Sequence, residues 1–172
     1  MGMDVMGLDP TSKTGEYFRR NMWRWHPLWE LCQNLVPDVC GDMDDCHYNV
    51  GEGLDEISAI DLRDALVRLV EDGTVKAYIN ERNEHLASLP LEDCEFCQTT
   101  GIRNDEVGKQ FRMDTFELSE EQAILLGRTH GFCNACYGEG KKASFAANYG
   151  VDEQDVADWI AFLSDCGGFA VH

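Results

Sequence analysis

The chain has 172 residues, 44% of them hydrophobic and 27% charged, with a formal net charge of −18. Its length and apolar content suit one globular domain and exclude a disordered polyelectrolyte. Its charge opposes direct binding to nucleic acid or to anionic membrane, and no run of 18 apolar residues is present to span a bilayer.

Met1 to Asp9 is acidic and has neither the basic start nor the apolar stretch of a secretion signal. The eight cysteines are therefore expected in a reducing compartment, where paired dyads favour metal over disulfides. The charge is uneven. Residues 38–72 carry eleven acids against Arg63 and Arg68, and residues 151–172 carry five acids and no lysine or arginine.

In chain order, Asp9-Pro10-Thr11-Ser12 reads as a turn, and a helix is predicted from about Glu16 to Arg24. Pro27 is expected to interrupt it and to open a second helix, with Leu28, Leu31, Cys32 and Leu35 on one face, ending before Pro37. A glycine-containing loop, Pro37 to Glu56, follows. Ser58 can cap an amphipathic helix to Asp72 with Ile57, Leu62, Ala65, Leu66 and Leu69 inward. Gly73 suits its stop, and a helix from Thr74 to Leu89 completes an expected αα-hairpin.

Two matched dyads come next: Cys94-Glu95-Phe96-Cys97 and Cys133-Asn134-Ala135-Cys136. The second continues into a full C-x-x-C-x-G-x-G; the first keeps only the last glycine, Gly101. Two residues between cysteines let one tight turn aim both sulfurs at one ion. Two such knuckles supply the four thiolates of a closed tetrahedral zinc site, with Cys94, Cys97, Cys133 and Cys136 as ligands. A closed site has no open position for substrate, so one Zn²⁺ with a structural role is expected. Between the knuckles, Ser119-Glu120-Glu121-Gln122 has the form of a capping box opening a helix to about Arg128. The last helix, about Asp152 to Ser164, carries Val156, Trp159, Ile160 and Leu163 on one stripe. Gly167-Gly168 then turns into a terminal strand, Phe169-Ala170-Val171.

The expected fold is mainly α with minor β: a single compact domain over 1–172 of about five helices, with a zinc-knuckle subregion at 91–142 and short strands near the zinc and the C-terminus. His130 could replace a cysteine ligand, although four cysteines suffice. Cys32, Cys40, Cys46 and His47 could form a second metal site, but their irregular spacing favours core thiols. The deaminase signature is not met around His85 or Pro90, and Cys166 is expected to be a core thiol and not a nucleophile.

Two resemblances add to this reading. The knuckles are similar to the zinc centre of DnaJ-type chaperones, which implies a zinc fold over about 45 residues. Met3-Asp4-Val5, Asp9-Pro10-Thr11-Ser12, Gly15-Glu16-Tyr17-Phe18-Arg19, Trp25-His26-Pro27-Leu28-Trp29, the knuckles and Gly167-Gly168-Phe169 resemble a family of small bacteriophage and prophage proteins. That likeness implies an accessory protein in the cytoplasm of a bacterial host and carries over no catalytic residues.

Three functions follow as expectations. The first is a non-enzymatic binding or inhibitory module against a basic host-protein surface, steered by Asp42, Asp44, Asp45, Asp61 and Asp64 and by the acids of Asp152–Asp165. The second is a small-ligand binder or enzyme with an N-terminal pocket of Asp4, Asp9, Lys13, Glu16, Tyr17, Arg19, Trp25 and His26. The third is a virion or structural component.

Overall fold

A computed structural model describes residues 2–172 of the chain. About half of it is helical and 13% is strand, so the fold is mainly α with minor β. The chain divides into two compact units: one runs up to Ala87 and resumes over Asn148–His172, and the other is Ser88–Ala147, which contains all of 91–142.

The first unit opens with strand β1 (Gly2–Gly7), a single turn α1 (Lys13–Glu16) capped by Ser12, and strand β2 (Tyr17–Asn21). β1 and β2 pair antiparallel, with Val5 opposite Phe18 and Asp4 opposite Arg19. The predicted helix over Glu16–Arg24 is thus largely a strand. The cause is period-2 burial: Met3, Val5 and Phe18 lie inward while Asp4, Tyr17 and Arg19 lie on the other face, and tertiary pairing overrides local propensity.

Helix α2 (Met22–Leu35) begins on an Asn21 cap and runs through Pro27 without interruption. Pro27 sits in the second turn with its ring buried. The helix forgoes one backbone bond there, and the apolar contacts of Trp25, Leu28, Trp29 and Leu31 outweigh that loss. A short α3 (Pro37–Cys40), a 3₁₀ turn over Asp44–His47 and strand β3 (Gly53–Leu54) lead to α4 (Glu56–Glu71). Asp55, not Ser58, caps α4, its carboxylate accepting from the Ser58 N–H at 2.8 Å. Starting the helix there turns Ile57 outward, 72% exposed, while Ala59, Leu62 and Leu66 are buried. Helix α5 (Thr74–Ser88) buries only Val75 and Ile79 and does not lie along α4, so the expected αα-hairpin is not formed.

The second unit holds β4 (Glu92–Asp93), α6 (Glu106–Gln110), α7 (Glu120–Leu126) and β5 (Lys141–Lys142), with β4 and β5 paired antiparallel. A second 3₁₀ turn, Phe145–Asn148, precedes α8 (Glu153–Asp165) and strand β6 (Phe169–Val171) of the first unit. The four-stranded sheet is ordered β2-β1-β6-β3. Among the described residues, no helix is long and apolar enough to cross a membrane.

The core of the first unit is aromatic. Trp25 stacks on Trp29 with centroids 5.8 Å apart, Trp159 stacks on Phe162 at 5.2 Å, and Trp25 meets Trp159 edge-on at 5.3 Å. The Trp25 and Trp29 indoles donate to the carbonyls of Cys46 and Met43, pinning the loop after α3 beneath α2. At the start of α8, the buried Asp155 carboxylate accepts from Arg20 at 2.9 Å and from Arg24 at 3.0 Å. Arg24 also reaches Asp152, and Arg20 reaches Asp158.

Candidate metal centre

Each knuckle is a tight turn, and the two are near-copies. In the first, the Thr99 N–H donates to the Cys94 carbonyl and the Thr100 N–H to that of Cys97. In the second, Gly138 and Glu139 donate to Cys133 and Cys136 in the same way. The backbones match as well. Gln98 and Tyr137 have φ of 50° and 52°, Thr99 and Gly138 have 67° and 85°, and Gly101 and Gly140 have 72° and 81°. Thr99 therefore holds a left-handed conformation that a β-branched residue rarely adopts.

The last glycine of each knuckle is required by the other knuckle. A Cβ on Gly101 would lie 2.1 Å from the Gly138 carbonyl oxygen, and one on Gly140 would lie 2.2 Å from that of Thr99. This crossed contact accounts for Gly101 in the imperfect first repeat, in which Thr99 stands where the second repeat has Gly138.

The outcome is one sulfur cluster. The Sγ atoms of Cys94, Cys97, Cys133 and Cys136 all lie within 4.8 Å of one another and are all buried. Cys94 and Cys133 are 3.9 Å apart, and Cys97 and Cys136 are 3.6 Å apart. The Gly140 N–H points at the Cys136 sulfur at 3.2 Å. Such a set can hold one metal ion with four thiolates. Burial works to raise the Cys94 thiol, but hydrogen bonds from the Cys97 backbone and thiol, the Phe96 backbone and the Cys136 thiol together leave Cys94 below the ordinary thiol value. Burial pushes Cys97 up to about 12 and also raises Cys133.

Three side chains outside the cluster complete it, and the sequence reading did not single them out. Arg128 donates to the carbonyls of Gly131, Gly101 and Gly138, so one guanidinium ties both knuckles. Arg103 and Lys142 lie over the Phe96 ring at 4.8 and 5.3 Å, placing cations on a side chain between the first pair of ligands. Asp105 and Glu95 hold those two bases through ion pairs. An arginine bound to distant carbonyls leaves no local pattern, and acids outnumber bases around the knuckles, so composition gave no hint of it either.

The other sequence-predicted residues are dispersed. His130 is bonded to Thr129 and bridged to Glu117, outside the sulfur cluster. Cys32, Cys40 and Cys46 are buried in the aromatic core; burial pushes Cys40 and Cys46 to about 12 and Cys32 well above the ordinary value. Among the described residues they form no metal-holding group with His47. His47 instead bonds His26 at 3.0 Å and Gln33 at 2.9 Å. Of the N-terminal pocket residues, Tyr17 and Arg19 converge on Asp4 on the outer face of the sheet, Asp9 and Glu16 are exposed, and Trp25 is core. Asp42, Asp45 and Asp61 are exposed, Asp44 accepts from Gln33, and Asp64 pairs with Arg63. The α8 acids are not free for steering: Asp152, Asp155 and Asp158 are bound by Arg20 and Arg24, and Asp165 accepts from Ser12 at 2.5 Å.

No protein-family model, curated protein or solved structure matches this chain.

Proposed function

We propose that the protein is a zinc-stapled, acidic binding module, phage-encoded and acting in the cytoplasm of a bacterial host, that engages and inhibits a basic host-protein surface. The metal part is supported by the sulfur geometry. A zinc–thiolate bond of about 2.3 Å in a tetrahedron implies sulfurs about 3.8 Å apart, close to the 3.9 and 3.6 Å found here. Cys94, Cys97, Cys133 and Cys136 would hold one Zn²⁺, which supplies a structural cross-link and no open position for a substrate. Arg128 orients the knuckle backbones around it, and Arg103 and Lys142 offset the negative charge of four thiolates.

The observation that carries the binding reading is the charge of 38–72. Asp38, Asp42, Asp45, Glu52, Glu56, Asp61 and Glu71 are exposed there, and the segment has only two bases. These seven, with the exposed Asp44, Asp55 and Asp72, create a field that attracts a cationic surface and repels phosphates. Asp152, Asp155 and Asp158 do not share this role, since Arg20 and Arg24 engage them.

The test is a capture experiment with metal-quantified protein as bait, at low and high salt. The expected result is one zinc per chain and a salt-sensitive basic partner that is lost when Asp42, Asp44, Asp45, Asp61 and Asp64 are all changed to Asn. Unchanged capture by that variant sinks the acidic-surface reading; absence of zinc from protein made in zinc-replete cells sinks the metal reading.

A further inference from the structure

Helix α7 carries four apolar residues in its C-terminal half and buries none of them. Ala123-Ile124-Leu125-Leu126 are four apolar residues in a row, yet no α7 residue is buried. Ile124 is 78% exposed and Leu125 is 76% exposed. An isolated exposed leucine needs no explanation, but adjacent, almost uncovered isoleucine and leucine side chains on a well-anchored helix do.

The anchoring is specific. Ser119 and Gln122 form a capping box, with bonds of 3.2 and 3.1 Å. Gly127 closes the helix in the left-handed conformation. Leu118, just before it, is buried, and its N–H donates to the Thr129 carbonyl. Leu126 leans on the second knuckle, where a Cβ on Gly138 would come within 2.6 Å of its Cδ1. Arg128, just after it, is bonded to Gly101 and Gly138. The knuckles therefore hold α7 from its C-terminal end and leave Ile124 and Leu125 projecting.

The surroundings of this projection are acidic. Glu117, Glu120 and Glu121 are exposed beside it, whereas the nearest base in sequence, Arg128, is turned onto backbone carbonyls. A second copy of the chain would bring like charges together. The complement is an apolar protein segment that carries lysine or arginine at its margins.

We propose that Ile124 and Leu125 form an interaction knob, held by the metal centre, that docks a cationic amphipathic helix of a partner protein. This rests on the reading of the chain as a module for basic partners but assigns the contact to different residues. Apolar burial at the knob provides the tight part of the contact, and the three glutamates fix its orientation by pairing with the flanking bases.

The test uses the full-length, metal-loaded chain and two labelled synthetic helical peptides of equal positive charge, one of leucine and lysine with an apolar face, the other of serine and lysine without one. Binding is read by fluorescence anisotropy. The double variant Ile124→Gln, Leu125→Gln keeps the charge and helix propensity, and its metal content and circular dichroism should be unchanged. It is expected to bind the leucine–lysine peptide at least tenfold more weakly than the parent, with the serine–lysine peptide unaffected. Equal leucine–lysine binding by parent and variant overturns the proposal. So does a parent that sediments as a dimer and a variant that sediments as a monomer, since a second copy would then cover the knob. The Asp42, Asp44, Asp45, Asp61, Asp64→Asn variant separates the two readings. Loss of binding there with none in the glutamine variant leaves the acidic surface standing and the knob refuted; the reverse refutes the acidic surface alone.

Discussion

The two units of this chain are held by opposite means. The first packs the buried faces of α2, α4 and α8 with a small sheet, and its largest fully buried residues are Trp25, Trp29, Trp159, Phe162 and Phe169. The second has a buried cluster of four cysteines with Ala135 packed against it. Its phenylalanines 96, 111 and 116 and its Ile124 and Leu125 are exposed. One unit gains stability from apolar area removed from water; the other has little such area and instead gathers four thiols placed to hold an ion. The same chain can therefore lose one unit and keep the other, and this separability can be tested.

Metal removal should have the largest effect. Structural zinc supplies on the order of 10 kcal/mol to a domain folded around it. A strong chelator, or Cys136→Ser, should abolish amide protection across Ser88–Ala147 while helices α2, α4 and α8 keep theirs. Hydrogen exchange resolved by residue checks this, and retained protection around the knuckles would break the comparison. Next in size is the converse. Trp25→Ala empties the stacked core and should cost about 3–5 kcal/mol in the first unit, with the zinc content of the protein unaltered. A parallel loss of metal would show that the units are not independent.

A smaller effect is acid sensitivity in the first unit. Burial lowers His26, and burial followed by the His26 charge lowers His47, from the ordinary 6.5. The folded state therefore binds fewer protons than the unfolded chain just below that value. Stability from the pair is complete above 6.5 and is lost as pH falls through 6.5 toward the folded values. Asp44 and Glu30 face His47 and oppose the shift without reversing it. Thermal midpoints measured between pH 7.5 and 5.5 should fall more steeply for the parent than for His26→Gln, His47→Gln; parallel curves would remove the histidines from the account. The smallest effect belongs to the second unit. Thr99→Gly frees a left-handed residue, which costs other residues about 1–2 kcal/mol, but adds unfolded-chain entropy. A net gain of about 0.5 kcal/mol is expected in chelator-resistance titrations, and a loss would mean that the Thr99 side chain contributes more than its backbone costs.

What the sequence disclosed follows the same division. The four cysteines were legible because metal ligation depends on spacing within a few residues, and so was α8, whose stripe of Val156, Trp159 and Leu163 repeats at helical period. The hairpin of β1 and β2 was not legible. Its strands are joined through the α1 turn, with Val5 opposite Phe18, and β1 is held on its other side by Val171 of β6, far along the chain. The continuity of α2 through Pro27 was hidden for a similar reason, since the contacts that outweigh the proline belong to distant elements. The acids of α8 were read as a surface because Arg20 and Arg24, which engage them, lie more than 130 residues away. At the metal site the ligands were visible and their supports were not: Arg128 works through carbonyls that carry no sequence signature.

The position of β6 has a consequence for synthesis. Phe169–Val171 lies between β1 and β3, so a strand made after α8 joins two strands made long before it. While the ribosome is still making α8, β1 and β3 have no shared neighbour, and the sheet must wait. Cys133 and Cys136 emerge well before that moment. The four thiols placed to hold an ion are thus complete on a nascent chain whose larger half is still open, before the hydrophobic core can close.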